Sequence, residues 1–338
     1  MNDSQKKYTI YWLVSVCILI FIMVLVGGIT RLTHSGLSMV DWKPILGTIP
    51  PIGEQAWLET FEQYKLFPEY QKVNFGMTLS EFKTIFFWEY LHRILGRIIG
   101  MAYAIPFLIF GIKKYYNAAW VKKLLVGLVL IGLQGLMGWY MVMSGLESRP
   151  SVSHYRLAAH LTFAFIIAGY ILWIILDLIR NKSSHSPAPW FKYTVFITSG
   201  IILQIIYGAF TAGLKAGFDY NTFPLMRGEI IPSGAFSFIP FLTNFYENEI
   251  MVQFIHRTIA WSLLISITVF FYMAKKMVLS PEQKKANHML IATLGIQFLL
   301  GVFTLIYVVP VALGVLHQGV AFILFLTAIY VNHTYSKV

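Results

Sequence analysis

Apolar residues gather into eight blocks, over 9–30, 85–111, 121–144, 157–179, 193–213, 250–273, 288–309 and 311–332, with polar segments between them. Each block is close to the length a helix needs to cross about 30 Å of hydrocarbon at about 1.5 Å per residue. In lipid a helix satisfies its own backbone hydrogen bonds and a lone strand does not, so the pattern predicts eight transmembrane helices. The fold class expected is therefore all-α integral membrane. Composition agrees: 57% of residues are hydrophobic and 12% charged, against about 25% charged in a soluble domain, too few to cover a water-facing surface.

The net charge of +11 would fit a nucleic-acid partner only if the basic residues formed one surface. Instead they follow the topology. Lys6, Lys7, Lys113, Lys114, Lys122, Lys123, Arg180, Lys182, Lys192, Lys275, Lys276, Lys284 and Lys285 fall on one side of the eight spans. Asp41, Glu54, Glu59, Glu62, Glu69, Glu81, Glu147, Asp219, Glu229, Glu247 and Glu249 fall on the other. The positive-inside rule then places the N and C termini in the cytoplasm and the long loops 31–84 and 214–249 outside, and no nucleic-acid partner is implied. The start, MNDSQKKYTI, leads into a span too long for a signal peptide, with no cleavage site and no Arg-rich, Ser-rich transit segment. The localisation expected is a bacterial plasma (inner) membrane. Cys17 is the sole cysteine, which excludes an intrachain disulfide and a thiolate metal cluster.

Landmarks recur in the same order in residues 1–180 and 190–338. Asp41-Trp42-Lys43-Pro44 and Pro50 after span one correspond to Asp219-Tyr220, Pro224 and Pro232 after span five. Glu89-Tyr90-Leu91-His92-Arg93 in span two corresponds to Gln253-Phe254-Ile255-His256-Arg257 in span six. His160 in span four and His317 in span eight each follow a helix start, expected at Ser153 and Pro310. Thr78 with Glu81, and Asn244 with Glu247, have the spacing of capping residues for spans two and six. Each half holds an even number of spans, so the repeat is parallel: two four-helix bundles, 1–180 and 190–338, joined by a cytoplasmic linker at 181–189.

The four histidines His92, His160, His256 and His317 all lie on even-numbered spans, in the outer part of the membrane. A histidine within a span is costly and marks a ligand, a proton path or a cofactor, or else is a hydrogen-bonded structural residue. Four at matching depths in two repeats favour a cofactor. Two imidazoles from facing helices can supply both axial ligands of a haem iron while apolar helix faces enclose the macrocycle. Zinc wants four close ligands and fits a two-histidine set poorly.

Glu89 stands three residues before His92 on the same helix face, whereas the matching residue is Gln253. A carboxylate there can take a proton or stabilise developing positive charge, or can simply pair with Arg93 or Arg97. The asymmetry suggests that one half reacts and the other serves. Arg93, Arg97 and Arg257 are candidates for haem propionates and equally for snorkelling to headgroups. His34, His154, His185, His288 and His333 are expected to be solvated. Trp57, Phe61 and Tyr64 have helical spacing, predicting a surface helix over 54–66 that would cover the first site.

These motifs resemble the haem A synthase family. The stretches that carry the likeness are Gly27-Gly28-Ile29-Thr30-Arg31-Leu32-Thr33, Ser35-Gly36-Leu37-Ser38-Met39, Asp41-Trp42 and Glu89-Tyr90-Leu91-His92-Arg93. Further along come Glu147-Ser148-Arg149-Pro150, Tyr155-Arg156-Leu157-Ala158-Ala159-His160, Tyr220-Asn221-Thr222-Phe223-Pro224, His256-Arg257 and His317-Gln318. The lack of outer-loop cysteines resembles the branch that includes the mitochondrial enzymes. The resemblance implies that His92 and His160 frame the substrate, haem O, that His256 and His317 ligate a resident haem b, and that Glu89 is the catalytic acid. The implied reaction turns the C8 methyl of haem O into a formyl group by successive hydroxylations and loss of water, giving haem A for terminal oxidases. Implied partners are membrane lipid, an electron acceptor, haem O synthase and further copies of the chain. Two other classes compete: a quinol-linked electron carrier with two haem b groups, which leaves Glu89 unexplained, and a parallel-repeat transporter, for which no interrupted pair of spans is evident.

Overall fold

The computed structural model describes residues 1–40, 49–146, 150–180 and 190–336. Asp41, Trp42, Glu147, Lys182, His185 and the linker 181–189 lie outside the described residues. The regular elements among the described residues are helices, with no strand: α1 (Asp3–Leu32), α2 (Glu54–Lys65), α3 (Pro68–Lys72), α4 (Leu79–Ile112), α5 (Ala118–Leu146), α6 (His154–Ile179), α7 (Phe191–Gly213), α8 (Asn244–Glu247), α9 (Glu249–Ala274), α10 (Pro281–Ile306) and α11 (Val311–Tyr335). Eight of these, α1, α4, α5, α6, α7, α9, α10 and α11, are long and apolar enough to cross a membrane, which is the fold class the hydrophobic pattern predicts.

Helix ends depart from the apolar blocks where polar residues cap them. α4 starts at Leu79, because Thr78 accepts from the Glu81 N–H and the Glu81 carboxylate accepts from the Thr78 N–H. α10 starts at Pro281 behind the same reciprocal pair made by Ser280 and Gln283. α10 ends at Ile306 because Val308 and Val309 take positive φ values of 60° and 55°. Ahead of α9 the expected cap, Asn244, is corrected to Asn248, whose side chain accepts from the N–H groups of Ile250 and Met251. Asn244 instead binds the preceding loop, accepting from the Phe238 N–H and donating to the carbonyls of Phe238 and Phe241. α4 consequently has nearly two more turns ahead of His92 than α9 has ahead of His256.

The described chain packs as two compact units, Ile18–His160 and Met1–Cys17 with Leu161–Val338. These bounds cut through α1 and α6, so the packing units and the sequence halves have different limits. In the unit Ile18–His160, the first turns of α4 bury Phe82, Ile85 and Phe86 against Phe61 and Tyr64 of α2. Phe61 stacks on Phe82 with centroids 4.9 Å apart, and Trp57 meets Phe86 edge-on at 5.0 Å. The Tyr64 hydroxyl donates to Glu69 and accepts from Asn74. Burial and the Glu69 carboxylate push its ionisation up from the ordinary tyrosine value, so the donor stays protonated. The helix expected at 54–66 is thus α2, and it lies on the first turns of α4.

In the other unit α7, α9, α10 and α11 close a ring, each packed on the next. Phe165 of α6 lies 5.1 Å from Phe322 and 5.8 Å from Phe325 of α11. Two histidines expected in solvent are buried. His333 is 0% exposed and sits 3.2 Å from Asp177, because α11 continues past it and packs it against α6. His154, at the start of α6, is 5% exposed beside Tyr155.

Candidate functional site

The first site lies wholly within Ile18–His160. α4 presents Glu89, His92 and Arg93 over little more than one turn, and the His92 ring rests on the bare backbone of α1: a Cβ added at Gly27 would stand 3.0 Å from His92 Cε1. His160 of α6 rests in the same way on Gly138 of α5, with 3.1 Å from an added Cβ to Cε1. One turn before that glycine, the Gln134 amide nitrogen is 3.2 Å from His160 Nδ1 and 3.4 Å from Nε2, and donates to the His160 carbonyl at 3.1 Å. The two imidazoles are within electrostatic range of one another.

The second site lies wholly within the other unit and repeats this plan. His256 of α9 rests on Gly208 of α7, and His317 of α11 on Gly301 of α10, with added Cβ atoms 3.1 and 2.9 Å from the ring Cε1 atoms. Gln204 is 3.3 Å from His256 Nε2. Gln297 is 3.2 Å from His317 Nδ1 and 3.4 Å from Nε2. His256 and His317 are within electrostatic range of one another as well.

Around the carboxylate the two sites diverge. Glu89 is 3% exposed, and its oxygens accept from the Ser38 hydroxyl at 2.7 Å, the Met39 N–H at 2.8 Å, and Arg93 Nε and Nη2 at 3.1 and 2.6 Å. Arg93 Nη2 also donates to the Met39 carbonyl at 2.8 Å. The loop following α1 is thereby tied to α4, and Thr30 of α1 adds a bond to the Trp88 carbonyl at 3.3 Å. In the second site Gln253 donates to the Ala216 carbonyl at 2.9 Å. Arg257 donates to the carbonyls of Tyr220, at 3.4 Å, and Thr222, and has no acidic partner among the described residues. Arg97 lies one turn beyond Arg93 on α4, with its guanidinium partly buried.

The ligand chemistry fits haem. Nδ1 of His92 and Nδ1 of His256 are buried without a hydrogen-bond partner among the described residues. The glycines let the Cε1 corner of each imidazole approach a neighbouring helix closely. No group of three or more His, Cys, Asp or Glu that could hold a metal ion occurs among the described residues. Paired imidazoles between apolar helices are a donor set that would hold a haem iron. Sequence reasoning did not find the partners Ser38 and Met39, since nothing in the chain signals that a loop residue returns to α4. It also passed over the Gln and Gly residues behind the histidines, although the spacing Gln-x-x-x-Gly stands in spans three, five and seven.

Fold and site together define a multi-pass helical membrane protein with two histidine-pair sites, one of which adds a buried carboxylate. The chain belongs to the COX15-CtaA family of cytochrome oxidase assembly proteins, whose family model matches residues 10–329. It is similar to a protein of Flavobacterium psychrophilum named haem A synthase, 49% identical over 99% of this chain and 100% of that protein. Proteins of the same name from Nitrosospira multiformis, 47% identical over 97% of this chain and 93% of theirs, and Wolbachia pipientis, 41% identical over 96% and 92%, match it in the same way.

Proposed function

We propose that this chain is a haem A synthase, an oxidoreductase that converts the C8 methyl group of haem O to a formyl group through successive hydroxylations and loss of water. Similarity along nearly the whole chain to proteins of that name supports the reaction. One observation supports assigning it to the first site: the buried carboxylate of Glu89, three residues from His92, where the second site has Gln253. His92 and His160 hold the substrate, haem O, and His256 and His317 hold haem b. When bound there, haem b supplies one-electron transfer, which an oxidation needs in order to pass electrons to an acceptor.

The remaining chemistry belongs to the protein. Each oxidation of the methyl carbon removes two electrons, which go to the acceptor, and one proton; the carbon left positively charged takes up water, which loses a second proton. Glu89 stabilises that charge or receives a proton, because bonds from Ser38, Met39 and Arg93 fix its carboxylate inside the protein. Arg93 is already neutralised by Glu89. Among the described residues Arg257 bonds only carbonyls, so its charge suits a haem propionate better; Arg97 is the remaining candidate beside the first site. We place the chain in a bacterial plasma membrane with both termini inside, taking haem O from lipid or directly from haem O synthase.

The test is to co-express the chain with haem O synthase in a host that lacks haem A, and to identify the extracted haems by chromatography and mass. Haem A or its hydroxylated precursor is the expected product. Unchanged haem O beside a protein holding two haem b groups would overturn the assignment in favour of an electron carrier.

A further inference from the structure

Three of the four helices that back a histidine carry the same step, a glutamine followed four residues later by a glycine: Gln134 and Gly138, Gln204 and Gly208, Gln297 and Gly301. The glycine lets the imidazole lie on the helix, and the glutamine amide meets the ring at 3.2–3.4 Å. Behind His92 the step reads Met23 and Gly27. The glycine is kept and the amide is gone. The Met23 methyl turns instead toward α4, where a Cβ added at Gly96 would stand 3.2 Å from it.

A neutral imidazole that binds iron through one nitrogen carries a hydrogen on the other, and a buried N–H needs an acceptor. Oε1 of Gln134, Gln204 and Gln297 is in each case buried without a hydrogen-bond partner among the described residues. Half a turn of the amide about its last torsion exchanges its oxygen and nitrogen, so Gln204 and Gln297 can offer that oxygen to their histidines, whereas Gln134 does so only by giving up the bond its nitrogen makes to the His160 carbonyl. A histidine held this way is fixed in orientation and donates more strongly to the metal, and losing such a partner typically costs about 10–100-fold in affinity. A thioether is only a weak acceptor, and His92 Nδ1 has no partner among the described residues; His256 Nδ1 has none either, but Gln204 meets that ring at Nε2.

We propose that His92 is the exchangeable ligand of the first site, and that Gln134, Gln204 and Gln297 are positioning residues that make His160, His256 and His317 the lasting ones. The proposal rests on the reading of both histidine pairs as haem ligands. It accounts for the difference between the sites in the terms that each role demands. A resident cofactor is kept by two held histidines, whereas a substrate has to enter and its product leave, so one bond must open while His160 keeps the register. The side that opens is α4, the helix that carries Glu89.

The experiment is carbon monoxide titration of the full-length protein, purified in detergent from a host co-expressing haem O synthase and reduced with dithionite, followed by absorbance. His160→Ala serves as the control that empties the first site. Wild type is expected to bind carbon monoxide at the first site and not at the second. Met23→Gln should weaken that binding about 10–100-fold, while Gln204→Met and Gln297→Met should each make the second-site haem bind it. Unchanged affinity in Met23→Gln, or a second-site haem that stays unreactive in both glutamine variants, would overturn the proposal. Should Met23→Gln fail to fold, the glutamine variants decide alone. A wild-type protein that purifies without haem would refute the underlying ligand assignment, a result separate from any effect of the glutamines.

Discussion

The turn of α4 from Glu89 to Arg93 and the turn of α9 from Gln253 to Arg257 are built on one plan and differ in a single charge. Each has a polar residue reaching the loop after the preceding odd-numbered span, a histidine three positions on, and an arginine at the fourth. In α4 the polar residue is a carboxylate, which inside a protein must be compensated, and it takes Arg93, a hydroxyl and a backbone N–H to do so. In α9 it is an amide that needs only a carbonyl, and the arginine is left to carbonyl oxygens. One substitution thus converts a self-neutralised acid site into a site with a spare positive charge. The first arrangement suits proton and carbocation chemistry, and the second suits an anionic cofactor that stays bound.

Breaking the ion pair should give the largest effect. Arg93→Ala strands the Glu89 carboxylate and should cost about 3–5 kcal/mol, whereas Arg257→Ala strands no acid and should cost about 1–3 kcal/mol; thermal unfolding in detergent compares the two, and equal losses would remove the contrast. Next comes Glu89→Gln, which gives the first site the residue of the second. Haem A formation should fall about 10²–10³-fold with haem still bound, while Gln253→Glu should leave the rate close to wild type; chromatography of extracted haems measures both. Gly301→Ala puts a methyl group 2.9 Å from the His317 ring and should cost about 1–3 kcal/mol with loss of second-site haem. Gly295→Ala, on the same helix with nothing within 4 Å, should lose none, as absorbance per protein will report. The smallest effect belongs to the cap of α4, where Thr78→Ala should cost about 1 kcal/mol without altering either haem.

Hydrophobic blocks, helix caps and the spacing of Trp57, Phe61 and Tyr64 are local signals, and each led to an element the structure contains. The misplaced features depend on partners distant in sequence. Asn244 and Asn248 are both reasonable caps until the loop at Phe238 claims the first of them. His333 reads as a tail residue unless α11 is seen to continue beside Asp177. The four candidate histidines stand out in the sequence because they recur at corresponding positions of its two halves. The pairing of Glu89 with Arg93 was legible too, being four residues apart; the bonds from Ser38 and Met39 were not, since they join residues about 50 positions apart through a loop with no pattern of its own. The glutamines were written in the sequence as a spacing, and gained meaning only once their amides were seen against the rings.

The central claim is that the two sites hold haems of different fate, and the most direct measurement is the haem composition of folded, purified His160→Ala and His256→Ala proteins made with haem O synthase. The account predicts that His160→Ala keeps haem b and loses haem O, and that His256→Ala keeps haem O, lacks haem b and makes no haem A. Haem O retained by His160→Ala, or haem A produced by His256→Ala, would contradict it.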